Sequence, residues 1–146
     1  MKDLYNNLAP VMLLEAQDLA STDTKSSLLD LAGYEGALII VQVGALTGVD
    51  GSNYLTPTLQ ECATTADADF TSVAAGNIEG AFTVIDAAAE DSLVQVVGYK
   101  GTSRYIRVLL DYTGSGISAG IVGVIGILGK PRHAPVTTPG TAVAAT

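Results

Sequence analysis

Residues that could do chemistry are few in this chain, and their spacing is poor for most reactions. Its single histidine, His133, stands in the proline-rich stretch "GKPRHAPVTTPG". A nucleophile and base need fixed mutual geometry, which such a stretch does not supply, and no serine is marked as its partner. One imidazole is also too few for a histidine metal site. Paired carboxylates can do acid–base work or hold Ca²⁺, and Asp67 with Asp69 and Glu90 with Asp91 are the candidates. "DADF" lacks the twelve-residue loop of an EF-hand, and "AEDS" has an ordinary turn composition, so both read as solvated turn charges. In "GSGISAGIVGVIGILG" the glycines at 120, 123, 126 and 129 recur every three residues. No Lys-Ser pair and no helix follow, as a phosphate loop would require. Glycines in a strand instead let another backbone or another subunit come close. Cys62, the one cysteine, excludes an internal disulfide and reads as a half-buried strand thiol acting as a small hydrophobe. No enzyme, cofactor or metal is expected.

Charge is the stronger signal. Fourteen acidic and two basic residues precede Ser92, whereas one acidic and five basic residues follow, for a net charge of −8. Such asymmetry predicts a two-signed surface. Three of the basic residues fall in "VGYKGTSRYIRVLL". Strand alternation puts Arg104 and Arg107 on opposite faces. With Ile106, Val108 and Leu110 inward, Arg104 lies on their side at the strand's start. There it can escape at the sheet margin or pair with a carboxylate. Arg107 is expected to look outward beside Tyr105. The expected partner contacts are Lys100, Tyr105, Arg107, Lys130, Arg132, His133 and Pro135. Total charge and sparse aromatics disfavour nucleic acid.

The elements that position these residues read as strands. Hydrophobic residues make up 48% of the chain, with 16 glycines and no tryptophan. β-Branched residues punctuated by glycine favour strands joined by turns. The residues 11–20 suit a helix or a strand, and strand is preferred. Further strands are expected over 28–32, from Ala37 to about Leu46 after a "GYEG" turn, over 54–62, around Phe70 to Val73, over 81–88, 92–99, 103–112 and 121–128. Pro57 marks an edge or a bulge, because proline cannot donate to a ladder. Turns every ten or so residues indicate an all-β fold. We expect a jelly-roll-like β-sandwich of about eight antiparallel strands with an extended C-terminal tail. The expected domain is 1–129, with 1–20 as an N-terminal arm or first strand. Residues 130–146 form the tail, disordered when free and an arm when packed on a neighbour. The N-terminal sequence reads as no signal peptide, and the longest apolar run is too short to span a bilayer.

"STDTKSSLLDLAGYEGALIIVQVGAL", "VGYKGTSRYIRVLL" and "GKPRHAPV", in that order, resemble the head decoration (cement) proteins of tailed bacteriophages, which are β-sandwiches. The resemblance covers most of the chain except about 63–91. It implies a structural virion protein on the outer capsid surface, assembled in the host cytoplasm. It further implies binding to the major capsid protein at capsomer junctions as a symmetric homo-oligomer, a homotrimer in preference to a dimer. No membrane partner is implied. The alternatives are another phage head or tail structural protein, or a carbohydrate-binding jelly roll, since "SRYIRV" is also similar to a strand of discoidin-type modules. A sugar would then stack on Tyr54, Phe70 and Tyr99.

Overall fold

The computed structural model describes residues 3–19, 22–133, 135–136 and 141–146. Pro139 and the neighbouring part of the expected extended tail lie outside the described residues. The strands are β1 (Leu8–Asp18), β2 (Thr24–Lys25), β3 (Leu29–Asp30), β4 (Tyr34–Val43), β5 (Tyr54–Cys62), β6 (Thr71–Ser72), β7 (Ile78–Glu79), β8 (Val94–Tyr99), β9 (Tyr105–Thr113) and β10 (Ile121–Pro131). They form two antiparallel sheets. Sheet A has the order β1-β10-β4-β8-β7; sheet B has the order β2-β9-β5-β6, with β3 also on β9. If β2 and β3 count as one interrupted strand and the short β7 is set aside, eight positions remain. They run first–eighth–third–sixth and second–seventh–fourth–fifth, which is the strand order of a jelly roll.

Period-two alternation builds the core between the sheets. Val122, Val124 and Leu128 of β10, with Ile39 and Val41 of β4, point inward from sheet A. Leu55 and Leu59 of β5, with Ile106, Val108 and Leu110 of β9, meet them from sheet B. Each such side chain gains roughly 1.5–3 kcal/mol by leaving water. Gly126 belongs to this inner face. A Cβ there would lie 2.8 Å from Leu29 Cδ2, so the missing side chain is the space that Leu29 fills. Pro57 sits inside β5, opposite Leu110. Its neighbours two residues away bond outward, Leu55 N–H to Ile85 O and Leu59 O to Val73 N–H. Pro57 therefore turns its missing donor to the open side of the strand, as an edge proline should.

Several boundaries differ from expectation. β4 begins at Tyr34, and the turn before it closes at Gly33 (φ +87°), while Gly36 lies inside the strand opposite Gly129. The alternation of 28–32 yields only the two-residue β3, because Asp30 accepts the Ala32 N–H and bends the chain. Residues 81–88 form no strand. Ile85 makes a single bridge to Leu55 of sheet B. Thr83 is clasped through its backbone by the Gln95 side chain of sheet A, at 2.9 and 3.1 Å. A segment crossing from one sheet to the other closes the open side of the sandwich and cannot ladder with either. β7 was not foreseen. β10 continues to Pro131, past the expected domain boundary.

The outer faces of the two sheets are unlike. On sheet B, Tyr105 and Arg107 are roofed by the loop after β5 and by the C-terminal residues. Leu28, Cys62 and Phe70 form a second small core there, with Val143 packed on it. Leu28 and Val143 exchange backbone hydrogen bonds of 2.7 and 2.9 Å. The described end of the tail thus packs on its own chain. On sheet A the outward residues are Met12 of β1, Ile121, Ile125 and Ile127 of β10, Leu38 and Ile40 of β4, and Val94 and Val96 of β8. Among the described residues no element lies over them.

Candidate functional site

The site is built where the basic C-terminal third meets one end of the sandwich. β8 and β10 run in the same direction, so the loop after β8 and the end of β10 emerge together, beside the turn that enters β4. That end carries Lys100, Arg104, Lys130 and Arg132. Arg104 and Arg132 line an open cleft of about 500 Å³ with Leu31, Gly33, Tyr34 and Thr102. Lys100 and Lys130 line an adjoining trough of about 340 Å³, floored by Gly36 and Gly129 and walled by Leu8, Leu38 and Ile127. Glu35 borders both. The Arg132 N–H donates to Gly33 O at 2.9 Å and ties the end of β10 to the turn. Lys130 has φ +51°, an uncommon conformation for a residue with a side chain, at the point where the chain leaves the sheet.

The loop is held rigid from below. The Tyr99 ring is buried, its hydroxyl donates to Glu61 Oε2 of sheet B at 2.5 Å and accepts the Ser103 N–H at 3.0 Å. One hydroxyl therefore joins the two sheets and shapes the β8–β9 turn. Gly101 closes over it, since a Cβ there would lie 2.4 Å from the Tyr99 hydroxyl. Burial first, and then the Glu61 carboxylate, pushes the Tyr99 phenol up to about 12.

The seven expected contact residues do not all reach the surface. Lys130, Arg132, His133 and Pro135 are exposed at the basic end. Lys100 is also exposed and pairs with Glu79, whose carboxyl it holds below the usual range. Tyr105 is half-buried and lies under Arg104, the guanidinium 4.9 Å from the ring. Arg107 requires correction. It faces away from the sandwich core as alternation predicts, but only 3% of its side chain is exposed. Its Nε donates to Gln60 Oε1 at 2.8 Å, its Nη1 pairs with Asp67, and its guanidinium stacks 4.1 Å above Phe70. The loop that carries Asp67 and Phe70 covers it. Arg104, the residue of the pair that escapes at the margin, makes a bidentate pair with Asp30 at 3.0 and 2.8 Å and remains exposed.

The carboxylate pairs are spent on local ties. Asp67 accepts from Lys25 at 2.7 Å and from Arg107, and these bonds, Lys25 first, lower its pKa. Asp91 accepts the Leu46 N–H at 2.8 Å, and Glu90 the Asp86 N–H at 3.0 Å. The sugar-stacking platform loses two of its three rings, because Phe70 and Tyr99 are buried. The Cys62 thiol is buried and accepts the Thr64 N–H at 3.4 Å. What this end can do is bind: exposed cations rim an apolar trough.

The chain matches no protein family profile, and no curated protein matches it in sequence. Among solved structures it is similar to the SPBc2 prophage-derived protein YomS, with 10% identity and a TM-score of 0.39 over 84% of this chain and 92% of that one. It is also similar to the CBM22-1–GH10 xylanase 10B of Clostridium thermocellum, with 12% identity and a TM-score of 0.31 over 91% of this chain and 28% of that one.

Sequence alternation foresaw that Arg104 escapes at the margin or pairs with a carboxylate, but left it out of the expected contacts; it missed the bare face of sheet A. The signal for the second was present. "ALIIVQV" and "IVGVIGIL" are nearly continuous apolar runs, the pattern of strands buried on both faces.

Proposed function

We propose that the protein is a non-enzymatic structural component of a tailed-phage virion. In this reading it docks on the outer capsid surface, at capsomer junctions on the major capsid protein, as a symmetric oligomer. The observation that carries the reading is the gathering of Lys100, Arg104, Lys130, Arg132 and exposed His133 at one end of an otherwise acidic body. The resemblance of its hairpin and tail motifs to decoration proteins supports the same assignment. A cationic end presented by a rigid sandwich orients each copy toward an acidic lattice, and many weak contacts on one lattice add by avidity.

The test is co-sedimentation of the purified protein with undecorated heads. The protein is expected to pellet with heads and to be released by salt, as exposed charge contacts should be. A Lys130→Glu/Arg132→Glu variant should bind at least about tenfold more weakly while melting like the parent. Failure of the unmodified protein to pellet would refute the reading.

A further inference from the structure

We infer that the outer face of sheet A is a self-interface, on which a second copy of this chain packs face to face about a two-fold axis running across the strands. The inference rests on the sheet face alone and not on the capsid reading.

The middle of the face is apolar. Met12, Ile125, Ile40 and Val96 form one unbroken row across β1, β10, β4 and β8. Met12 is 61% exposed, Ile121 56% and Val94 61%. Between the strand ends Gln42 is the polar side chain among the outward residues of β10, β4 and β8, while Glu35, Lys100 and Lys130 border the face at the trough. A water-facing sheet looks different. Across the sandwich, β5 turns Thr56, Thr58 and Gln60 outward, the polar half of an ordinary alternation.

The occupant follows from the pattern of large and small residues. A two-fold axis along the row of Ile125, Ile40 and Val96 sets each of these against its own copy. Along β10 it then places Ile121 over Gly129 and Gly123 under Ile127. Along β8 it places Val94 over Gly98. The open small position is Gly129, facing Ile121, while the Glu79 side chain borders Gly98 and the β1 bulge borders Gly123; an isologous contact needs such self-complementarity. The glycine end is the trough described above, and Gly36 beside Gly129 makes it two strands wide. That width accommodates the angle of about 30° at which twisted sheets pack. Leu38 meets the stem of Gln42.

Charge disfavours the axis parallel to the strands. Asp18, Glu90 and Asp91 lie at the Ile121 end, by the strand directions; Lys100 and Lys130 lie at the glycine end with Glu35 and Glu79. The axis across the strands brings the acidic end against the end that carries the lysines. The alternative would bring the acidic ends together. The area is sufficient. Four strands about 4.8 Å apart and eight residue steps of about 3.3 Å give a flat footprint near 500 Å². A pair therefore covers about 1,000 Å², the level at which specific interfaces begin.

The purified full chain tests this by sedimentation velocity and by cross-linking with a short bis-maleimide, which spans the roughly 10 Å between facing sheets that a disulfide cannot. The protein should sediment at twice the mass of the chain, and Ile125→Cys should cross-link to its own copy. Gly129→Ile should weaken the dimer about tenfold or more. A Cβ at 129 meets only Leu8 Cδ2 at 3.6 Å, so the sheet itself has room for it. The double variant Ile121→Gly/Gly129→Ile should restore the dimer, because each large residue again faces a small one. Circular dichroism verifies folding of each variant. A monomer or a trimer, a dimer in which Ile125→Cys does not cross-link, or a folded double variant no better than Gly129→Ile alone, overturns the inference.

Discussion

Arg107 is the side chain whose role changes most between sequence and structure. Its parity on β9 was legible; its burial was not, because the roof over it comes from a loop some forty residues earlier in the chain. A buried guanidinium is tolerated only when its donors are used, and here Gln60, Asp67 and the Phe70 face use them. Arg107→Ala should cost about 2–3 kcal/mol in urea unfolding. Arg107→Lys should recover little of it, since a point ammonium cannot serve Gln60, Asp67 and a ring face together. Tyr99 gives a second residue-scale expectation. Its folded pKa of about 12 lies above the ordinary value of 10.0. Its contribution is therefore whole below pH 10 and is lost as pH rises toward 12, on the order of 2 kcal/mol. Ultraviolet titration should show Tyr99 ionising only as the fold opens, and Tyr99→Phe should reduce the amplitude of that late step by one tyrosine. At the acid end the sign reverses. Asp30, Asp67 and Glu79 have lowered values through Arg104, Lys25 with Arg107, and Lys100 respectively. Their contribution is whole above the ordinary carboxylate range and is lost as pH falls below it, which an acid titration of the melting temperature checks.

Among the elements, β10 shows how one strand can carry two specifications. As far as Gly129 its even-numbered residues fill the core and its odd-numbered ones make the outer face. Gly126 and Gly129 therefore have different tolerances. Gly126→Ala drives a methyl into Leu29 and should cost about 1–3 kcal/mol, whereas Gly129→Ala should be neutral or slightly stabilising, having contact only with Leu8. Paired chemical denaturation curves decide between these. The long apolar strands β4, β9 and β10, rich in Ile, Val and Leu, were readable because periodicity and propensity agree there. Residues 81–88 misled because an apolar, β-prone composition says nothing about whether a partner strand lies alongside. That segment spans the gap between sheets, and only tertiary placement fixes it. The four surface cations at the basic end were legible as a charge bias; their convergence needed the strand directions.

At the scale of the whole molecule, the C-terminal residues join the fold and also follow the proposed docking end. Thr146 bonds with Thr65 at 2.9 Å through their hydroxyls, and Val143 covers the cluster containing Cys62. Deleting residues 141–146 should leave the sandwich folded but make the Cys62 thiol react much faster with an aromatic disulfide reagent. Truncation after Gly129 would therefore disturb two things at once, and charge reversal at Lys130 and Arg132 is the cleaner probe of docking. Sheet A has a further consequence, in time. Its second strand is the last one synthesised: β10 lies between β1 and β4, with Leu8 paired to Gly129. While a ribosome still holds the C-terminal part, the sheet has a vacant slot through its middle and its outer face is split in two. Folding of the sheet must then wait until β10 has left the ribosome, and closure between such distant segments is slow, of order milliseconds to seconds. In the proposed pairing, a copy whose β10 is not yet in place cannot meet a finished one, so pairing would begin only from closed sheets.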